Sequence, residues 1–266
     1  MNCCGTKLLM GETLGRYDGH CHVFRKDLPM VPNRRYTPGY HALPETLCQQ
    51  LSAHKLDGAL LVQPSFLGTD NQYLLQTIAH LRNQTDLVFR GVVVLDPDCP
   101  PTASEFESLN TQGVIGLRLN LYKDPQQFDY GKWRALLNLA ENLEWHIELH
   151  CESGRLPQVL PTLVKNHNNI VIDHFGLVTS VNTCKGLAAI LQQPPEKLWI
   201  KVSAPYRLKQ HLHNENGTSF TESLESLYQI FSAFVGTERL VWGSDWPFTQ
   251  FEEEVSYSQL EKNYTA

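Results

Sequence analysis

Eight short apolar runs, each followed by a longer stretch of different pattern, recur from residue 16 to residue 244, and this alternation constrains the fold most. The runs are 16–23, 58–63, 88–95, 114–121, 145–151, 169–174, 198–203 and 239–244. They are rich in Val, Ile and Leu over roughly four to eight residues, the composition of strands buried on both faces. The stretches 43–54, 70–82, 130–142, 155–165, 184–192 and 220–235 place apolar residues near a 3.6 period and predict helices. Pro157 and Pro161 weaken the fourth of these, Thr69-Asp70 offers an N-cap to the second, and Pro194-Pro195 terminates the fifth.

Strands alternating with helices in one uninterrupted series mean a parallel sheet. Eight repeats favour closure into a (β/α)8 barrel over an open doubly wound sheet. The first strand ends Asp18-Gly19-His20-Cys21-His22, without the glycine-rich phosphate turn that an open sheet often carries there. No linker or low-complexity tract divides the 266 residues, so 1–266 reads as a single barrel domain. About twenty residues follow the last strand, and 257–263 can make only a stub of helix. The expectation is a distorted barrel whose eighth outer helix is short or missing. An apolar strand face left open there would favour a homo-oligomer.

Composition excludes several classes of function. Lys+Arg 22 against Asp+Glu 28 gives a net charge of −6, with no basic run longer than a pair, which argues against a nucleic-acid partner. Apolar runs such as Val92-Val93-Val94-Leu95 fall far short of the ~20 residues of a bilayer span. The seven cysteines are odd in number and contain no C-x-x-C pair, Leu8-Leu9-Met10 is too short for a secretory core, and Asn2 excludes N-myristoylation. Reduced thiols in a cytoplasmic protein are the simplest reading.

Barrel enzymes carry their chemistry at the C-terminal ends of the strands. There the chain places His20 and His22, Ser65, Arg118 and Asn120, His150, His174, Ser203 with Arg207, and Asp245. Residues i and i+2 share a strand face, so His20 and His22 can both point into the mouth, as can Arg118 and Asn120. A single strand-end histidine is more often structural than functional. Four of them with one carboxylate, all at the same end, instead suit a divalent metal such as Zn²⁺ or Mn²⁺. The candidate metal ligands are His20, His22, His150, His174 and Asp245, and metal-free catalysis by the same groups is the alternative. Cys21 and Cys151 alternate with these positions and are expected to face the helices. His41, His54, His80, His146, His167, His211 and His213 read as surface or structural residues. Arg118 lies on an otherwise apolar strand and needs either a buried carboxylate of the protein or an anionic substrate. Ser65 beside Pro64 reads as a turn residue, and Arg207, considered alone, as a solvent-exposed one.

Seven segments also match a known family: YDGHCHVF (17–24), RRYTP (34–38), QPSFLGTDN (63–71), GLRLN (116–120), VIDHFG (171–176), KVSAPYRL (201–208) and LVWGSDWP (240–247). In order and spanning nearly the whole chain, they resemble the amidohydrolase-related branch of the amidohydrolase superfamily, and within it the 2-pyrone-4,6-dicarboxylate lactonase group. The resemblance implies a deformed (β/α)8 barrel that hydrolyses a carboxylate-bearing lactone or related cyclic ester. It implies that His20, His22 and His174 form the hydrolytic site and that Asp245 activates water. Ser65, Arg118 and Arg207 would hold the carboxylates of a small anionic substrate, with Asn120 beside them. Two positions depart from that group. Asp124 stands where a second arginine is expected, and His150 stands where the group has tyrosine, as it does in metal-binding branches. Neighbouring branches offer a metal-dependent decarboxylase or hydratase as alternatives, and the short C-terminus offers a catalytically impaired barrel.

Overall fold

The fold was obtained as a computed structural model, which describes residues 15–124, 126–209, 212 and 217–262. Eight strands form one sheet in sequence order: β1 (Tyr17–Cys21), β2 (Gly58–Val62), β3 (Val88–Val93), β4 (Val114–Asn120), β5 (His146–His150), β6 (Ile170–Ile172), β7 (Leu198–Ser203) and β8 (Leu240–Gly243). Every neighbouring pair is parallel. The sheet curls until β8 meets β1. There Asp245 N donates to His20 O at 2.7 Å and His22 N to Trp246 O at 2.8 Å. The approach is close enough to require glycine. A Cβ on Gly243 would lie 2.7 Å from the Cβ of His20, and one on Gly19 would lie 2.6 Å from the Trp242 carbonyl oxygen. Asp18 ties the seam, accepting from Ser244 N at 2.8 Å, from Ser244 Oγ at 2.5 Å and from the Tyr257 hydroxyl at 2.8 Å.

The helices are α1 (Pro44–Ala53), α2 (Gln72–Arg82), α3 (Ala103–Thr111), α4 (Tyr130–Asn142), α5 (Leu156–Asn166), α6 (Lys185–Leu191), the one-turn α7 (Pro205–Leu208), α8 (Phe220–Val235) and α9 (Tyr257–Lys262). Six of them fall on the stretches with helical spacing. Helix α2 starts two residues later than expected, and Asp70 Oδ1 accepts from the Gln72 backbone N–H at 3.2 Å. Helix α5 takes Pro157 in its first turn and Pro161 in its interior. Helix α3 goes beyond the sequence expectation because it buries one residue, Phe106, and so lacks a periodic stripe. Its signal is the capping box, in which Thr102 and Glu105 each satisfy the other's backbone N–H.

Two apolar layers hold the barrel. Between strands and helices, residues such as Leu47, Phe106, Leu137, Leu160 and Phe231 are fully buried, together with Cys21 and Cys151. Inside the barrel, Tyr17, Leu60, Val62, Val92, Val171, Trp199 and Val241 fill the lower layer. Tyr17 belongs to the inner layer and Cys21 to the outer one, although an even spacing would put both on one face. The register slip between Asp18 and Cys21 makes the difference, and it turns His20 inward above Tyr17.

Among the described residues the eighth outer helix is short. In its place α9 buries Tyr257 and Leu260, with the Tyr257 ring centroid 6.0 Å from that of Trp242 on β8. Cys21, Cys48, Cys99, Cys151 and Cys184 are free thiols. No helix among the described residues is long and apolar enough to cross a membrane. His211 and His213 lie outside the described residues.

Candidate active site

Above the apolar layer the barrel interior turns polar, because period two along each strand carries the inward face to its C-terminal end. Strand β5 contributes Glu148 and His150, β4 Arg118 and Asn120, β7 Lys201 and Ser203, and β1 His20, with His22 just past its end. Asp173 and His174 follow β6 directly, and Asp245 follows β8. His174 has φ 49° and Asp245 φ 60°, in the left-handed region that costs a non-glycine residue roughly 1–3 kcal/mol. The turn at His174 lets consecutive residues, Asp173 and His174, both serve the same site.

Asp245 is the focus. Its Oδ2 accepts from the Tyr206 hydroxyl and from Arg207 Nε, both at 2.7 Å. Its Oδ1 lies 3.2 Å from His22 Nε2 and 3.7 Å from His20 Nε2. Burial by itself would raise this carboxyl, but the Arg207 guanidinium, His174 and the His22 contact hold it well below the ordinary carboxylate range. Asp245 is therefore ionised, with one oxygen gripped and the other facing imidazoles. Burial and then Asp245 push the Tyr206 phenol well above its usual value, so it stays a donor.

His20, His150 and His174 stay neutral. Burial, reinforced by Lys201, takes His20 well below its ordinary value, and burial with Arg118 does the same to His150. Burial brings His174 down to about 4 even though Asp245 and Asp173 oppose it. His174 Nδ1 pairs with Ser203 Oγ at 2.8 Å, and His150 Nδ1 lies 3.2 Å from Asn120 Oδ1.

Arg118 turns out to be matched by protein carboxylates. Its Nη2 and Nε bond Asp173 Oδ2 at 2.7 and 3.3 Å, and Nε lies 3.2 Å from Glu148 Oε1. Lys201 Nζ bonds Glu148 Oε2, sits 3.6 Å from Asp173 Oδ1 and reaches His20 Nδ1 at 3.0 Å. Two cations and two carboxylates thus form a compensated layer under His20, all buried. Burial would raise Asp173, but Arg118, Lys201 and His20 hold it well below its normal range. Glu148, Asp173 and Lys201 escape the strand-end reading because they stand one step deeper. Their signal is the one that marks Arg118: a charge between apolar neighbours, as in Ile147-Glu148-Leu149 and Ile200-Lys201-Val202.

A cavity of about 260 Å³ opens on this layer and brings together His22, Ser65, Arg118, Asn120, His150, His174, Arg207 and Asp245. His20 lies buried behind His22 and His174, with ring centroids 4.9 Å and 4.7 Å from theirs. Arg207 is not the solvent-exposed residue that its loop alone implied. Its side chain is 20 % exposed and spans Asp245 and the Thr249 carbonyl, which its Nη2 bonds at 3.2 Å. The cavity also recruits Arg35, Tyr36 and Tyr122, which sequence reasoning gave no role of their own.

The donor chemistry fits one divalent cation. Nitrogens of His20 and His22 and an oxygen of Asp245 lie within 4.8 Å of one another. His22 Nδ1 is held 2.7 Å from the Val62 carbonyl, which turns Nε2 toward Asp245 Oδ1 at 3.2 Å. His20 Nε2 and Asp173 Oδ1 are buried without hydrogen-bond partners. His20 Nδ1 has Lys201 Nζ at 3.0 Å and Asp173 Oδ1 at 3.4 Å, while Nε2 is directed toward Asp245. Asp173 and His174 form a second such group with His20. His150 stands outside both: its ring is stacked under Tyr122, centroids 5.1 Å apart and 16° from parallel, with Nδ1 toward Asn120.

A closed parallel barrel that gathers an aspartate, imidazoles and guanidinium groups around one cavity at the C-terminal ends of its strands has the layout of a barrel enzyme. Residues 17–265 match the amidohydrolase family profile, and the chain belongs to that family. Among curated proteins it is 25% identical to the 2-pyrone-4,6-dicarboxylate hydrolase of Comamonas testosteroni, over 91% of this chain and 79% of the relative. It is 24% identical to the 4-sulfomuconolactone hydrolase of Rhizobium radiobacter, over 89% and 77%. A crystal structure of a probable 2-pyrone-4,6-dicarboxylic acid hydrolase from Acinetobacter baumannii, with citric acid bound, superposes with a TM-score of 0.82 at 32% identity and covers 94% of this chain and 90% of that one.

Proposed function

We propose that the protein hydrolyses a carboxylate-bearing lactone, with Asp245 taking the proton of the attacking water. One observation carries the reading. Tyr206 and Arg207 grip Asp245 Oδ2, while Oδ1 is left facing His22 and His20. Water adding to the ester carbonyl passes its proton to Oδ1. The carbonyl oxygen gains the charge and is met by the Nε2–H of the neutral His174, whose Nδ1 accepts from the Ser203 hydroxyl. When the tetrahedral species collapses, the ring C–O bond breaks and the departing oxygen recovers the proton from Asp245. Atoms balance to one water consumed and one ring-opened acid formed. Arg207 contributes twice: it keeps Asp245 ionised and leaves its positive face on the cavity for the substrate carboxylate.

His20, His22 and Asp245 are the residues that would hold a Zn²⁺ or Mn²⁺ ion. Such an ion, when bound, lowers the pKa of water and polarises the carbonyl. The roles of Arg207, Tyr206 and the cavity wall are the same with or without it. The substrate is a small anion, in keeping with the lactones named for the two curated relatives. The test is a panel of neutral and carboxylated lactones followed by pH-stat, with products identified by NMR. The reading expects ring-opened acids, with carboxylated lactones preferred. Loss of CO₂, or no turnover of any member by folded protein, would overturn it.

A further inference from the structure

Asp18 is a fully buried carboxyl group on β1 that does not line the catalytic cavity. Four hydrogen bonds converge on it. Its Oδ1 accepts from the backbone N–H of His20 at 3.1 Å and of Ser244 at 2.8 Å. Its Oδ2 accepts from the Ser244 hydroxyl at 2.5 Å and from the Tyr257 hydroxyl at 2.8 Å. Ser244 Oγ accepts in turn from Trp246 N at 2.9 Å. The main chain on both sides of Asp245 is therefore tied to Asp18, and Asp245 N itself donates to His20 O at 2.7 Å. We infer that Tyr257 is a positioning residue for Asp245 and His20, its hydroxyl coupling the C-terminal helix α9 to the site through Asp18 and Ser244. The inference rests on the role given to Asp245 above and extends it to a residue that never meets the substrate.

Backbone strain gives this cluster its purpose. Asp245 holds φ 60°, and a non-glycine residue keeps such a conformation only where its surroundings over-determine it. A relaxed peptide would swing Oδ1 away from His22 and His20, whose Nε2 atoms it meets at 3.2 and 3.7 Å. Two grips prevent this from opposite sides. Tyr206 and Arg207, from the loop after β7, hold the carboxylate. Asp18, from β1, holds the main chain.

The Tyr257 hydroxyl completes the second grip because its ring has little freedom. Its side chain is buried, and its ring centroid lies 4.8 Å from that of His54 at the end of α1 and 6.0 Å from that of Trp242 on β8. Helix α9 stands where the eighth outer helix would be, so its first residue reaches the seam at which β8 closes on β1. Among the described residues no cation lies within ion-pair distance of Asp18. Its oxygens are held by these four donors alone. Loss of the phenolic donor leaves Oδ2 to the Ser244 hydroxyl and lets the carboxyl group re-seat, carrying Ser244 with it.

Tyr257→Phe removes only the hydroxyl and keeps the ring between His54 and Trp242. On the carboxylated lactone that turns over fastest, its kcat should fall about tenfold while KM stays within about twofold, since a misplacement of about 1 Å costs on the order of 10²-fold and the slackening here is smaller. KM is spared because Tyr257 does not line the cavity. Leu260→Ala loosens the buried face of the same helix without touching Asp18. It should lower Tm at least as much as Tyr257→Phe and leave kcat and KM at wild-type values, with rates taken where circular dichroism shows each protein folded. Histidine labelled with ¹³C at Cε1 gives a readout that needs no substrate. The NMR signals of His20 and His22, assigned by their loss in His20→Gln and His22→Gln, should move in Tyr257→Phe and stay in place in Leu260→Ala. Wild-type kcat in Tyr257→Phe, a loss carried by KM, an equal loss of kcat in both variants, or unmoved histidine signals would overturn the positioning role. If the wild type turned over no lactone, the hydrolase reading would fail, while the histidine signals would still decide whether α9 is coupled to the site.

Discussion

Replacing Lys201 by Met tests the compensated charge layer that carries the site. The side chain is fully buried, its Nζ touches Glu148 Oε2 and lies 3.0 Å from His20 Nδ1 and 3.6 Å from Asp173 Oδ1. Methionine keeps the length and removes the charge, leaving two carboxylates against the single cation Arg118. An uncompensated buried charge of this kind costs about 3–5 kcal/mol. In a chain of this size each kcal/mol moves Tm by about 2–4 °C, so Tm should fall by roughly 6–20 °C. Urea unfolding followed by circular dichroism gives the free energy, and calorimetry gives Tm. The pair Lys201→Met/Glu148→Gln restores the balance and should recover at least about 2 kcal/mol of the loss, a coupling that a double-mutant cycle isolates. A cost below about 1 kcal/mol for the single change, or strict additivity in the double, would refute the reasoning.

Two further outcomes follow from the same geometry. Because the folded-state pKa values of His20, His150 and His174 lie below that of free histidine, the unfolded chain binds more protons once pH drops under about 6.5. Their contribution to stability is complete above that pH and is lost as pH falls. For His174, with a folded pKa of about 4, the loss is about 2 kcal/mol by pH 5, and unfolding curves at pH 7.5 and pH 5 should differ by at least that amount. Stability that is flat over this interval would contradict the buried neutral imidazoles. Zn²⁺ titrated into chelator-stripped protein should bind at one equivalent and lose that binding in His22→Ala. A featureless wild-type titration would show that the donor set of His20, His22 and Asp245 does not hold an ion.

Much of this architecture is written in the chain's periodicity. The eight apolar runs mark the eight strands, because a strand buried on both faces must be apolar throughout. Strand-end polarity picks out His22, His150, His174 and Asp245, because the inward face of a closed barrel leads to its mouth. Legibility fails where a residue's partner is remote in sequence. Arg118 calls for a negative partner, and the carboxylate that meets it, Asp173, stands 55 positions away. Arg207 reads as a loop residue until the β8 turn brings Asp245 to its Nε. Helix α3 is too polar to show a stripe, although its capping box can be read.

The most direct test of the central claim compares kcat for wild type and Asp245→Asn on whichever carboxylated lactone turns over fastest, with both proteins shown to be folded. Asparagine keeps the shape and loses the proton acceptor, so kcat should fall by about 10²–10⁴. A variant that hydrolyses the lactone at the wild-type rate would contradict the account.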